Sequence, residues 1–217
     1  KYCRQNGIKL AKRVSGGGTV FHDLGNINFV YITPRKSEWV SNFSIFNKPV
    51  IDFLNEKGIE AYNNDRNDIL LDGHKISGNA QHILGNSLIS HATLLFDAEI
   101  ETIANAIHHS YDFAESSGID YVKVPVCNIK THGLKESTDV FIDDFLEYMR
   151  GNLKAERAPE FSKKELSEIH ELARNKYSHP EWIYAKSPKT RISKKINLDK
   201  EIVIEIRLEK GRTQELK

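Results

Sequence analysis

Lysine, arginine and three consecutive glycines stand together in Lys12-Arg13-Val14-Ser15-Gly16-Gly17-Gly18-Thr19-Val20-Phe21-His22-Asp23. Glycines in a row let the main chain come close to a ligand and aim successive N–H groups at an anion. The Arg13 guanidinium adds a planar, permanently charged fork suited to phosphate or carboxylate. An anionic ligand is the reading this favours; a flexible strand connection with Arg13 solvated on its flank is the alternative the glycines alone leave open. The segment is not the G-x-x-x-x-G-K-[ST] phosphate loop, and it lacks the spaced glycines of a dinucleotide fingerprint.

A second group of residues lies in Asn67-Asp68-Ile69-Leu70-Leu71-Asp72-Gly73-His74-Lys75-Ile76-Ser77-Gly78-Asn79-Ala80-Gln81. Asp72-Gly73 is a hairpin turn signal that sets Lys75 beside the turn. Gly78 and Ala80 fall on one strand face and are small enough to leave room for a ligand. A lysine by itself is ordinarily a solvated surface group, so the surrounding residues must carry the case for Lys75.

The elements that would position these groups can be read from periodicity. Residues 1–7 read as the end of a helix closed by Gly7, and Ile8 to Val14 as a short strand entering the glycine run. Ile27, Phe29 and Tyr31 alternate with Asn28, Val30 and Ile32 in a second strand, expected to be buried. Val50, Phe53 and Leu54 suit a helix over Asn47 to Lys57, with Pro49 in its first turn and Gly58 past its end, and Ile59 to Tyr62 returns to a strand. Ile69 to Leu71, His74 to Leu84 and Ser87 to Phe96, joined by Asp72-Gly73 and Gly85-Asn86, predict a three-stranded antiparallel meander. Ile100, Ile103, Ala104, Ile107 and Tyr111 form a helical stripe. A further helix is expected from Thr138 as N-cap with Phe141, Phe145 and Met149 inward. Another follows Ser162, which with Glu165 makes a capping-box pattern before Leu166, Ile169 and Leu172. Lys186 to Lys195 reads as a basic irregular linker, and Ile202 to Leu208 as one final strand.

Composition limits what the chain can do. Its 217 residues suit one main domain, and 31 Lys+Arg against 30 Asp+Glu leave a net charge of +1, too small a field to gather nucleic acid or an anionic membrane. Cys3 and Cys127 cannot build a disulfide framework, and no apolar run reaches the roughly 18 residues of a membrane span, so the reading is a cytoplasmic protein. Both cysteines read as packing residues, and so do Trp39 and Trp182. The nine histidines are dispersed, without a metal-ligand spacing, and no metal held by protein alone is expected. The chain opens at Lys1 without methionine, so a segment is expected before it.

In their order and separation, the two segments resemble the signatures of the lipoate-protein ligase A family, R-R-x-S-G-G-G-x-V-F-H-D-x-G-N and N-D-I-x-x-D-G-x-K-I-S-G-x-A. His91-Ala92-Thr93-Leu94-Leu95 with Asp97 resembles its H-G-T-L-L, and Lys176-Tyr177, Trp182 and Lys186-Ser187-Pro188 resemble the end of its catalytic domain. Lys12 stands where the family has a first arginine, and Ala92 where it has glycine.

The resemblance implies an α/β (α+β) fold, a mixed, mostly antiparallel sheet flanked by helices like the class II aminoacyl-tRNA synthetase and biotin ligase catalytic core. Residues 1–195 would be the catalytic domain without its opening segment, and 196–217 the start of an accessory domain or an added strand. It implies ATP-dependent activation of lipoate to lipoyl-AMP and transfer to an acceptor lysine, with Mg2+ neutralising the leaving pyrophosphate. Lys75 would bridge the lipoyl carboxylate and the α-phosphate as the catalytic residue. Arg13, Gly16, Gly17, Gly18, Thr19, Val20 and Phe21 would hold ATP with it. Gly18, His22, Asn79 and His91 would line the lipoate site, and Asp68 would stand near the phosphates or magnesium. The implied partners are lipoyl domains of 2-oxoacid dehydrogenase complexes and the glycine-cleavage H protein. Two alternatives stay open. One is a transferase taking an octanoyl or lipoyl group from a carrier protein, for which Cys127 is the available thiol. The other is a lipoyl-adenylate-binding protein that works with a separate accessory subunit. No nucleic acid or membrane partner is implied.

Overall fold

Two hairpins and the turns that close them organise the residues around Lys75. The computed structural model describes residues 2–107, 113–116, 124–156, 158–185, 187–197 and 201–217. Along the chain the elements are α1 (Tyr2–Gln5), β1 (Asn26–Pro34), α2 (Ser44–Glu56), β2 (Tyr62–Asn63), β3 (Ile69–Leu71), β4 (His74–Ser77), β5 (Asn79–Leu84) and β6 (Ser87–Leu95). They continue with α3 (Ile100–Ala106), β7 (Phe113–Ser116), α4 (Thr138–Leu153), α5 (Lys163–Leu172), α6 (Pro180–Ala185), β8 (Thr190–Asn197), β9 (Glu201–Glu209) and β10 (Arg212–Leu216). Short 3-10 turns occupy Ser37–Trp39 and Ile129–His132, and a π-helical turn follows α5 at Ala173–Tyr177. The chain divides into two units. One holds Val14–Ala104 and Val122–Ala158; the other holds Lys1–Arg13, Asn105–Tyr121 and Pro159–Lys217.

In the first unit β1, β6 and β5 form an antiparallel sheet in that order, with Val30 opposite His91 and His91 opposite Ala80. A second antiparallel sheet has the order β2-β3-β4. Asp72 (φ 48°) and Gly73 (φ 74°) both take positive φ, which is what a two-residue turn matching the twist of a β3–β4 hairpin requires. The expected meander is therefore split. The run from His74 to Leu84 breaks at Gly78, so its first half belongs to one sheet and its second half to the other. Alternation records which residues share a face but not which sheet a strand joins.

β1 buries one face rather than both: Ile27 is buried, while Val30 and Ile32 on the other face are 53% and 69% exposed. The core gathers Ile27, Leu94 and Phe96 against Val50, Phe53 and Leu54 of α2 and Phe141, Phe145 and Met149 of α4. Phe96 and Phe141 stack at 4.3 Å, and Phe53 meets Phe141 edge-on at 5.4 Å. Each such ring contributes about 1.5–3 kcal/mol through removal from water. α2 begins at Ser44, three residues before the expected start, so Pro49 lies inside it. Its N-cap, Phe43, makes no side-chain capping bond, so the start left no local signal. α4 follows its pattern closely, except that Ser137 and not Thr138 is the cap.

In the second unit β10, β9, β8 and β7 form an antiparallel sheet. The stretch expected to be an irregular linker supplies β8, with Ile192 opposite Ile206 and Ile196 opposite Ile202. Its basic residues are accommodated by ion pairs, Lys195 with Glu201 at 3.3 Å and Lys189 with Glu209 at 3.1 Å. The capping box at α5 forms as read, with the Ser162 hydroxyl accepting from Glu165 N–H and the Glu165 carboxylate accepting from Ser162 N–H. Leu166, Ile169 and Leu172 nonetheless stay 43%, 44% and 48% exposed, so this stripe is not inward. Ile8 to Val14, expected as a short strand, is irregular, and the Trp182 indole donates to the Lys12 carbonyl at 2.8 Å. Tyr111 and Lys186 lie outside the described residues. Among the described residues no helix is long and apolar enough to cross a membrane.

Candidate active site

Lys75 is fixed at both ends. Its backbone N–H donates to the Pro125 carbonyl at 2.8 Å and its carbonyl accepts from Cys127 N–H at 3.4 Å, a parallel bridge along β4. Its ammonium pairs with Asp68 at 2.8 Å, where the side chains are 30% and 15% exposed. The amine also lies over Gly78: a Cβ added there would come within 3.3 Å of Lys75 Cε and 3.4 Å of Nζ. Gly78 is tied in turn to β6, its carbonyl accepting from Thr93 N–H at 3.2 Å. Two residues on, Ala80 stands opposite His91. Small residues thus lie beneath the amine and opposite His91 in the register.

Asp68 owes its place to a loop built by asparagines. Asn64 Oδ1 accepts from Arg66 N–H and Asp68 N–H, both at 2.9 Å, an Asx turn. Asn67 takes φ +61°, a left-handed conformation that asparagine tolerates, and its carbonyl accepts from the Asn79 amide at 2.8 Å and the Asn47 amide at 2.9 Å. Asn79, read from sequence as a lipoate contact, thus has one amide hydrogen committed to the loop that carries Asp68. Asn47 and Asn64 were not singled out from sequence, because no motif spacing links them to Lys75.

The glycine segment Gly16 to Val20 is exposed and irregular, with Gly17 at φ +104°. Phe21 is half-buried, and Thr19 and His22 are exposed. The segment is anchored at both ends. Before it, Ser15 Oγ and His91 Nε2 share a hydrogen bond of 2.5 Å; after it, the Asn26 amide donates to His22 Nδ1 at 2.6 Å. Asp23 accepts from Gly25 N–H at 2.9 Å and Glu99 N–H at 2.8 Å. Gly25 carries no side chain because a Cβ there would sit 1.9 Å from the Asp97 carbonyl oxygen. Lys75, Asp68, Asn79, His91 and the glycines therefore all belong to the first unit, and Arg13 to the second. Burial lowers the Arg13 pKa from its ordinary value.

Cys127 neighbours Lys75 through the backbone, but burial and then the charge of Asp72 push its thiol pKa up, and the side chain packs against the core. That environment favours the protonated thiol over the nucleophilic thiolate. Among the described residues no group of three or more His, Cys, Asp or Glu side chains stands close enough to hold a metal. The chemistry on offer is electrostatic: a held ammonium, exposed glycine backbone and a hydrogen-bonded imidazole.

The chain is similar to known proteins in sequence and in fold. Lipoate-protein ligase LplJ of Bacillus subtilis (strain 168) is 38% identical over 196 residues, 89% of this chain and 59% of its own length. A crystal structure of lipoate-protein ligase A bound with ATP superposes with a TM-score of 0.66 at 27% identity, covering 83% of this chain and 74% of that one. Protein Ta0514 of T. acidophilum with bound lipoic acid gives 0.67 at 25%, covering 84% and 74%. The chain spans about half to two thirds of the length of the curated relatives it matches, 59% and 66% for two of them and 50% for another. Residues 1–151, which include the glycine segment, Lys75 and His91, match the lipoyl protein ligase A/B catalytic domain, and the chain belongs to that family.

Proposed function

We propose that this chain carries the catalytic machinery of an ATP-dependent lipoate-protein ligase. The observation that carries the reading is the Lys75 ammonium, held by Asp68 over Gly78. Bringing a carboxylate to the α-phosphate of ATP forces two anions together, and a fixed cation at their meeting point lowers the barrier. A lipoyl carboxylate oxygen attacks the α-phosphorus, pyrophosphate leaves, and lipoyl-AMP forms. An acceptor lysine amine then attacks the acyl carbon and AMP leaves. Backbone N–H groups from Gly16 to Phe21 receive the phosphates, and Arg13 contributes a phosphate contact. Gly18, His22, Asn79 and His91 border the lipoyl group. Magnesium supplied with ATP would offset charge on the leaving pyrophosphate, with Asp68, engaged with the Lys75 amine, in the phosphate neighbourhood. The acceptors are lipoyl domains of 2-oxoacid dehydrogenase complexes and the glycine-cleavage H protein, and the setting is the cytoplasm. Residues 1–195 act as the catalytic domain, with 196–217 as added strands or the opening of an accessory domain.

The test is the intact mass of an unmodified lipoyl domain incubated with the protein, lipoate and Mg-ATP, beside a no-ATP control and an octanoyl-carrier-protein donor. We expect a lipoyl mass increase that requires ATP and disappears in Lys75→Ala. Modification from the carrier protein without ATP would replace the ligase with a transferase acting through Cys127. No modification by either route would favour a binding protein or dependence on a partner subunit.

A further inference from the structure

An asparagine on the core face of a helix needs explanation. Asn47 is 1% exposed on α2 between the buried residues Phe46 and Val50, where an apolar side chain would serve packing better. Its amide donates to Asn63 Oδ1 at 2.8 Å and to the Asn67 carbonyl at 2.9 Å, so one side chain fastens β2 and the loop before β3 to the helix. The second bond falls on the residue whose left-handed backbone turns the chain into Asp68, and Asp68 holds the Lys75 ammonium. We infer that Asn47 is a positioning residue: acting through Asn67 and Asp68, it sets where the Lys75 amine stands. Its bearing on catalysis rests on the role given to Lys75 above.

The relay has a physical logic. A carboxylate on a free loop would follow the lysine wherever it moved, because an ion pair alone tolerates many geometries. Two amides on one carbonyl remove that freedom. Asn79 reaches Asn67 from the strand that begins just past Gly78, and Asn47 reaches it from the helix in the core. The position of the amine is thereby referred to the packed interior rather than to the surface loop 64–67. Misplacing a reacting group by about 1 Å can cost on the order of a hundredfold in rate, so a brace of this kind has kinetic weight.

The experiment compares Asn47→Ala, Asp68→Asn and the double variant in two readouts. The first is the rate at which N-hydroxysuccinimidyl acetate acylates Lys75, followed by peptide mass mapping, which needs no turnover. The second is kcat and KM in the lipoyl-transfer assay. Asn47→Ala should expose Lys75 to faster acylation in the same direction as Asp68→Asn, and lower kcat about ten- to a hundredfold with KM for ATP little changed. The double variant should fall no further than Asp68→Asn alone, since both act on one relay. Losses that multiply in the double variant, or unchanged acylation in folded Asn47→Ala, would overturn the inference. Should Asn47→Ala not fold, Asn63→Ala removes the acceptor that orients the same amide while leaving α2 intact. A smaller rise in Lys75 acylation would then support the brace, and no rise would overturn it. A wild-type protein that shows the acylation pattern but transfers no lipoyl group would count against the ligase reading and leave the placement of Lys75 by Asn47 supported.

Discussion

At the scale of single residues, Gly78 separates the requirements of folding from those of chemistry. A methyl group there would meet only the far end of Lys75, at 3.3 and 3.4 Å, and a lysine tip can give way by a few tenths of an ångström without disturbing the backbone. Gly25 is different, since its neighbour at 1.9 Å is the Asp97 carbonyl, which cannot move without moving the chain. Gly78→Ala is therefore expected to leave the thermal midpoint within about 2 °C, as surface-like substitutions do, while displacing the amine from Asp68 and lowering kcat about tenfold. Steady-state kinetics beside a melting curve decide it. A variant with full kcat would show that the amine works over a wider range of positions than its contacts suggest.

At the scale of elements, α2 and α4 are joined by more than their aromatic faces. Lys57, the residue that ends α2, pairs with Glu136 at 3.3 Å and Asp144 at 2.6 Å, and Lys57 and Glu136 are 23% and 19% exposed. Burial alone would lower the Lys57 pKa, but hydrogen bonds to Asp144 and Glu136 outweigh it and the pKa is raised. Burial would likewise raise Glu136, but backbone hydrogen bonds and Lys57 outweigh it and the pKa is lowered. A lowered carboxylate pKa contributes stability that is present above its unfolded value of about 4.3 and lost as pH falls through the folded value. A raised lysine pKa contributes stability that is complete below its unfolded value of about 10.4 and lost as pH rises through the folded one. Lys57→Met should consequently melt below wild type by a margin that is widest from about pH 5 to 9 and narrows below about pH 4. Melting curves across pH check this, and a margin that does not change with pH would assign the loss to the lysine head over the Phe53 and Phe141 rings, at 5.6 and 5.9 Å, rather than to the carboxylates. Elements like these were legible in sequence where the signal was local: the Ser162 and Glu165 capping box, the Asp72-Gly73 turn and the Phe141, Phe145, Met149 stripe. The change of sheets at Gly78, the strand hidden in the basic stretch after Thr190 and the exposed stripe of α5 depend on which surfaces meet, and periodicity does not contain that. The candidate site divides the same way. Lys75 and the glycine run stand out by residue type and spacing, whereas Asn47, 28 positions before Lys75 on another element, is joined to it only by the folded chain.

At the scale of the whole molecule, 31 Lys+Arg against 30 Asp+Glu leave no net field to collect an anionic ligand, so recognition must come from contacts close to the site. Such binding is visible as stabilisation of the folded state. A ligand at about one hundred times its Kd adds about 2.7 kcal/mol, which for a protein of this size raises the thermal midpoint by about 5–10 °C. Lipoate and Mg-ATP are each expected to raise the midpoint when added alone. Together they should raise it by more than the sum, because the carboxylate and the α-phosphate join into one molecule that retains both sets of contacts and no longer has to be held as two. Lys75→Ala should keep the separate shifts and lose the excess, since without the amine the anions repel and the adenylate does not form. Differential scanning fluorimetry with each ligand and with both reads the distinction directly. Shifts that merely add in the wild-type protein would mean that the two ligands sit side by side without reacting, and the chain would then hold the substrates of a reaction that it does not itself carry out.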